Sequence, residues 1–221
     1  MSYLNTPAET PARDPARDPA QAPAQDPAHD DVARLYDADR ARQGYVANYT
    51  RVFALRPEVY DAWARLNGAI KAGMDLHRYE LATLAAARRL RSSYCALAHG
   101  SLLRDKFHDA ATVYKIATDH RDAGLDPTDI AIIDLAEKVV DDATAVTAAD
   151  IDALRRLGLS DVDIFQVVLA AAARCFFSTT LDAVGAEPDS HYRTSVEPDL
   201  QQVLAVGRPI EVDRSDGGDG P

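Results

Sequence analysis

From Asp31 onward, apolar residues recur at spacings of three and four with almost no strand-like alternation, and this pattern restricts the body of the chain to helices. A stripe repeated at that spacing is buried only when other helices cover it, so the expected fold class is all-α, a helical bundle. At 221 residues, 47% of them apolar, the chain is long enough for one core with ragged ends.

Composition sets the expected limits of that body. The first thirty residues carry a four-residue unit, running from Pro11-Ala-Arg-Asp to Pro27-Ala-His-Asp, which has too little apolar surface to pack. Residues 1–30 are therefore expected to form a disordered Pro/Ala/Asp-rich tail, and 31–190 the helical domain. Residues 191–221 are expected to be a polar C-terminal tail with one short helix near Leu200 to Val206.

Local signals divide the domain further. Val32 to Leu55 reads as one or two amphipathic helices, and Pro57 suits the first position of a helix that Gly73 ends. Leu76 to Arg91 forms the next helix, and Ser92 and Ser93 offer caps for the one after it. Asp126-Pro127 opens a helix to about Asp142, Thr147 and Asp150 suit a capping box, Gly158 stops that helix, and Ser160 and Asp163 repeat the start signal. The segment Val162 to Val184 is apolar on nearly every side and is expected to be the central helix or an interface. Tyr60, Trp63 and Leu66 share helical spacing, as a packed stripe or a subunit contact does.

Charge and cysteine usage exclude several classes. Lys and Arg number 24 against 35 Asp and Glu, and the formal charge of −11 repels phosphate backbones, so no nucleic-acid partner is expected. No stretch approaches the roughly 20 uninterrupted apolar residues of a membrane span, and no secretory head precedes the body, so a cytoplasmic protein is expected. Cys95 and Cys175 are too few for a disulfide framework, and Cys175, inside the most apolar segment, reads as core filler. His77, His108, His120 and His191 have no partner at ligand spacing, so neither metal nor cofactor is expected.

One constellation carries chemistry. Cys95 and His99 are four residues apart, which places them on one helical face a turn from each other. With Ser92 or Ser93 as cap, Cys95 falls in the first turn, where the positive end of the helix dipole favours a thiolate. Glu80 lies on the preceding helix among Leu81, Leu84 and alanines, placed to accept a proton from His99 or to orient it. Spacing alone leaves an inert buried cysteine equally open.

The stretch from Tyr79 to Gly100 resembles the core motif of the carboxymuconolactone decarboxylase and AhpD-like alkylhydroperoxidase superfamily, in which a Glu precedes a Cys-x-x-Cys and a His follows four residues later. Glu80, Tyr94-Cys95 and His99 match its glutamate, second cysteine and histidine, with the fifteen-residue Glu-to-Cys interval kept. Ala54-Leu-Arg-Pro-Glu58, Val146 to Asp161 and Val184 to Asp189 resemble the peroxidase-related branch, so the likeness spans roughly residues 32 to 190. Ser92 stands where redox-active members carry the other cysteine, which removes an internal disulfide at the motif. Cys175 to Asp182 departs from the Asn-Phe-x-Asn-Arg common in related sequences.

The resemblance implies an AhpD-like bundle whose central hairpin carries the motif, assembled as a homo-oligomer. It implies a thiol-dependent peroxidase in which Cys95 attacks a small-molecule hydroperoxide, Glu80 and His99 relay the proton, Ser92 and Tyr94 line the pocket, and an external thiol is the reductant. A decarboxylase-like lyase acting on a small carboxylated substrate, and a non-enzymatic helical oligomer, stand as alternatives.

Overall fold

The computed structural model of the protein describes residues 2–9 and 27–212. Its helices are α1 (Pro27–Gln43), α2 (Asn48–Phe53), α3 (Pro57–Ala72), α4 (Leu76–Arg89), α5 (Ser93–Lys106), α6 (Ala110–Asp119), α7 (Pro127–Asp142), α8 (Ala148–Arg156), α9 (Asp161–Ala183), α10 (Tyr192–Ser195) and α11 (Pro198–Leu204). Among the described residues there is no strand, as the apolar spacing requires.

Most boundaries follow from local chemistry. Pro57 and Pro127 occupy first helical positions, where a missing N–H costs nothing. The Asp126 carboxylate accepts from the Thr128 and Asp129 amides, and reciprocal capping boxes join Thr147 to Asp150 and Ser160 to Asp163. Gly73 caps α3, and Gly158, with φ of 91°, turns the chain just beyond α8.

The enclosed helix is α4, on which every residue from Tyr79 to Ala87 is buried. Small side chains at Ala82, Ala85, Ala86 and Ala87 let α5, α7 and α9 approach it from different sides. This corrects the expectation for Val162 to Val184. Although α9 packs on α3, α4 and α7, it leaves Val162, Phe165 and Phe176 exposed, because its second apolar face looks outward. Together with Trp63, Leu66 and Ile70 of α3, that face lines an open apolar groove of about 480 Å³. By length and composition α9 is also long and apolar enough to cross a bilayer, contrary to the expectation that no stretch is.

Both ends depart from the expected limits. Residues 191–212 belong to the packed body: Val196, Leu200, Leu204 and Ile210 are buried, and α11 packs on α5 and α6. Leu204 occupies the space over Gly100, where an added Cβ would lie 2.6 Å from Leu204 Cδ1. A stripe of four apolar residues in a short polar stretch is a weak signal, but their burial makes the segment a lid on α5. At the other end, the Tyr3 amide donates to the Val184 carbonyl at 2.7 Å and Tyr36 Oη donates to the Pro7 carbonyl at 2.8 Å. Glu9 accepts from Arg40 and Arg51, so residues 2–9 lie against the body, unlike the expected unpacked tail. The last repeat unit begins α1; the preceding units and the Asp/Gly-rich end beyond 212 lie outside the described residues.

Candidate active site

The α4–α5 turn sets the site's geometry. Arg91 takes the left-handed φ of 57°, and the Ser92 amide reaches back to the Ala87 carbonyl at 2.9 Å, ending α4 and sending α5 back along it. A non-glycine residue in that conformation costs on the order of 1 kcal/mol. Gly207 closes over the turn, donating its amide to Ser93 Oγ at 2.8 Å. An added Cβ there would come within 2.0 Å of the Arg91 carbonyl oxygen.

Ser92 holds the N-cap position of α5, yet its hydroxyl caps no amide and is buried facing Asp182 instead. Cys95 therefore sits in a first turn whose amides no side chain caps, the environment in which the helix dipole favours an anion.

Glu80 is fully buried, with Oε2 2.5 Å from His99 Nδ1 and Oε1 3.1 Å from Lys71 Nζ. Burial pushes the carboxyl upward, but His99 and then Lys71 outweigh it and hold Glu80 below the ordinary carboxylate range. For His99, burial lowers the imidazole, Glu80 opposes it, and Arg174 and Lys71 add to the lowering, so its pKa is depressed. At neutral pH this is a neutral imidazole against a carboxylate. Nδ1–H donation to Glu80 assigns Nε2 as the acceptor nitrogen.

Cys95 is also buried, and its recorded polar contact is with Arg174, whose Nη1 donates to Sγ over 3.8 Å. Nη2 of Arg174 lies 3.4 Å from Asn67 Oδ1, which also accepts from Tyr79 Oη at 2.8 Å. The guanidinium lies 5.6 and 5.4 Å from the ring centroids of Trp63 and Phe177, which are stacked on each other at 5.2 Å. Cys95 and His99 share a face of α5, but no hydrogen bond joins them among the described residues, so direct contact within the pair is not made. The hairpin thus brings Glu80 to His99, while α9 brings a cation to Cys95.

Arg174, Asn67 and Lys71 escaped the sequence reading. Arg174 had a visible signal, a single charge within the apolar run Ala170 to Phe177, since arginine is rarely buried without a task. Asn67 and Lys71 had none, being polar residues of an amphipathic helix.

The two residues expected to line a pocket are placed otherwise. Tyr94 is buried and its hydroxyl donates to Asp189, while accepting from the Tyr49 amide at 3.3 Å. Ser92 is fully buried beside Asp182, whose carboxyl burial pushes upward against a lowering by Ser92. Cys175 is half-buried on α9, less enclosed than core filler, and burial raises its thiol.

The remaining histidines fall into separate contacts. His77 and His108, 31 residues apart, meet with Nε2 atoms at 2.7 Å, a juxtaposition that local spacing did not reveal. His120 Nε2 donates to Asp134 Oδ1 at 2.8 Å, and His191 packs near Tyr45. Among the described residues, no three His, Cys, Asp or Glu side chains group in a way that could hold a metal ion.

No family model matches the sequence, and no curated protein matches it. Solved structures do. An uncharacterized peroxidase-related protein with an alkylhydroperoxidase AhpD core from Ralstonia eutropha JMP134 is 22% identical, with a TM-score of 0.66 over 91% of this chain and 100% of that one. An uncharacterized peroxidase-related protein from Silicibacter sp. TM1040 is 21% identical, with a TM-score of 0.69 over 79% of this chain and 93% of its own. The debrominase Bmp8, solved in complex with 2,3,4-tribromopyrrole, is 12% identical, with a TM-score of 0.61 over 82% and 94%. The chain therefore has the AhpD-like all-α fold.

Proposed function

We propose that this AhpD-like bundle is a thiol-dependent peroxidase acting on small hydroperoxides, with Cys95 as nucleophile and His99 and Glu80 as its proton relay. The observation that carries the reading is the hairpin itself: a thiol in the uncapped first turn of α5, one turn from an imidazole whose Nδ1 is fixed by a buried carboxylate at 2.5 Å. The likeness in fold to peroxidase-related proteins supports the same reading.

In this reading the Cys95 thiolate attacks the distal oxygen of ROOH. An S–O bond forms, the O–O bond breaks, and the alkoxide leaves to take a proton and become ROH, with Cys95 now a sulfenic acid. The thiol proton passes to Nε2 of neutral His99 and from there to the alkoxide, with Glu80 stabilising the transient imidazolium. Because no hydrogen bond joins Cys95 to His99, a water or the hydroperoxide itself bridges them. Ser92 provides no resolving thiol, so two equivalents of an external thiol return the sulfenic acid to the thiol, releasing a disulfide and water.

The test is peroxide consumption with a small-molecule thiol as reductant. Cys95→Ser is expected to lower it at least about 100-fold, and His99→Ala by about 100-fold, the usual size of a general acid–base contribution. Unchanged consumption by Cys95→Ser removes the reading. Should that variant retain turnover of a small carboxylated substrate that His99→Ala loses, the lyase reading takes its place. Assembly as a homo-oligomer through the outer apolar face of α3 and α9 is part of the proposal, and a monomer by light scattering counts against it.

A further inference from the structure

Arg174 carries a charge with no carboxylate in direct contact among the described residues. It is 4% exposed, lies beside the stacked pair of Trp63 and Phe177, and its Nε is buried with no hydrogen-bond partner among the described residues. Its other polar neighbours are a neutral amide oxygen, Asn67 Oδ1, the phenol of Tyr79, and a sulfur, Cys95 Sγ. The carboxylate nearest in the cluster, Glu80, is already engaged by His99 and Lys71. A guanidinium does not shed its proton to escape burial, as a lysine or histidine does.

Lys71 is 40% exposed, so the buried charges of the cluster do not sum to a net cation; what is missing is local, a direct anionic partner for the guanidinium among the described residues. With Cys95 as a thiol Arg174 has none; with Cys95 as a thiolate it has one, facing Nη1. A buried cation left unpaired is strongly unfavourable, so the anion belongs at the atom that Nη1 faces.

We propose that Arg174 is the counter-ion of a resting Cys95 thiolate, a positioning residue oriented by Asn67, so that the ion pair of this site is thiolate–guanidinium, and His99, neutral at rest, relays to the leaving alkoxide a proton drawn from solvent instead of from the thiol. This deepens the peroxidase reading and rests on Cys95 as its nucleophile. It differs from a thiolate–imidazolium pair in a measurable way: the thiolate persists when the imidazole is removed. The guanidinium cannot titrate, so the thiolate also persists throughout the pH range in which a histidine loses its proton.

The experiment titrates the Cys95 thiolate by ultraviolet absorbance in the full chain, in a Cys175→Ser background so that one thiol reports. Arg174→Met, of similar volume, is expected to raise the midpoint by one unit or more, a tenfold or greater fall in the thiol's acid dissociation constant. Arg174→Lys is expected to restore part of it, and His99→Gln to leave the midpoint within about threefold of the parent. An unmoved midpoint in Arg174→Met with native circular dichroism overturns the proposal, as does loss of the thiolate in His99→Gln. If Arg174→Met fails to fold, Arg174→Lys and Asn67→Ala decide: the proposal requires both to raise the midpoint above the parent's, and it falls if either leaves it unmoved. The two readings fail separately, because Cys95→Ser with full peroxide turnover removes the peroxidase while leaving the Arg174-dependent titration intact.

Discussion

Two histidine clusters begin one turn apart on α4 and end in different physical states. At Glu80, the imidazole of His99 meets a carboxylate at 2.5 Å in a closed setting, and the carboxylate resists the effect of burial. At His77, the partner is a second imidazole, His108, at 2.7 Å on the edge of an open cavity of about 600 Å³ lined by Asp75, Arg78, Asp126 and Asp129. There burial lowers His108 and His77 lowers it further. Asp129, 3.6 Å from His77 Nδ1, is itself engaged by Arg78 at 3.2 Å. Both carboxylates have two partners, but Glu80 is enclosed in the core, whereas Asp129 lines an open cavity.

The largest effect that tests this contrast is expected from Glu80→Ala. Removing the carboxylate leaves His99 and Lys71 without their anion and is expected to cost about 3–5 kcal/mol in urea denaturation. A loss below about 1 kcal/mol would place the buried pair on a level with the open one. Gly100→Ala probes the enclosure instead: the added methyl meets Leu204, and overpacking of this kind costs about 1–3 kcal/mol, read as a lower melting temperature. If it costs nothing, α11 is not a tightly seated lid.

The pH dependence is smaller and has a defined sign. His99 is depressed in the folded protein, so the native state binds fewer protons than the unfolded chain below the ordinary histidine range. Its contribution is complete above about pH 6.5 and drains as pH falls toward the folded value. Glu80, also depressed, adds a further loss below the ordinary carboxylate range. Denaturant midpoints measured from pH 7 downward are expected to fall, with a shallower slope in His99→Gln; equal slopes would show that His99 does not contribute. The smallest effect is expected from His108→Gln, within about 0.5 kcal/mol at neutral pH, because the site opens to water. A larger loss would make the rim cluster a structural element in its own right.

What was readable in the sequence follows from range. The starts at Pro57, Asp126, Thr147 and Ser160 depend on side chains reaching amides two or three residues away, and each was found where the local pattern put it. The Cys95–His99 spacing and the Glu80 position were equally local, and the hairpin carried Glu80 to His99. The partner of Cys95 was not local: Arg174 is 79 residues away, and only the packing of α9 on α4 brings it there. Tyr94 and Ser92 show the converse, since adjacency to Cys95 on the motif says nothing of their direction, and both turn into the interior.

The sequence by itself determined a helical body, the places where most helices begin and stop, and one acid, thiol and imidazole at motif spacing, because each depends on forces acting within a few turns. Only the tertiary structure decided that α4 and not α9 is enclosed, that residues 191–212 close over α5, and that a buried guanidinium faces the thiol. Those are outcomes of which surfaces exclude water together, and burial is what converts ordinary side chains into a site where charge must be balanced.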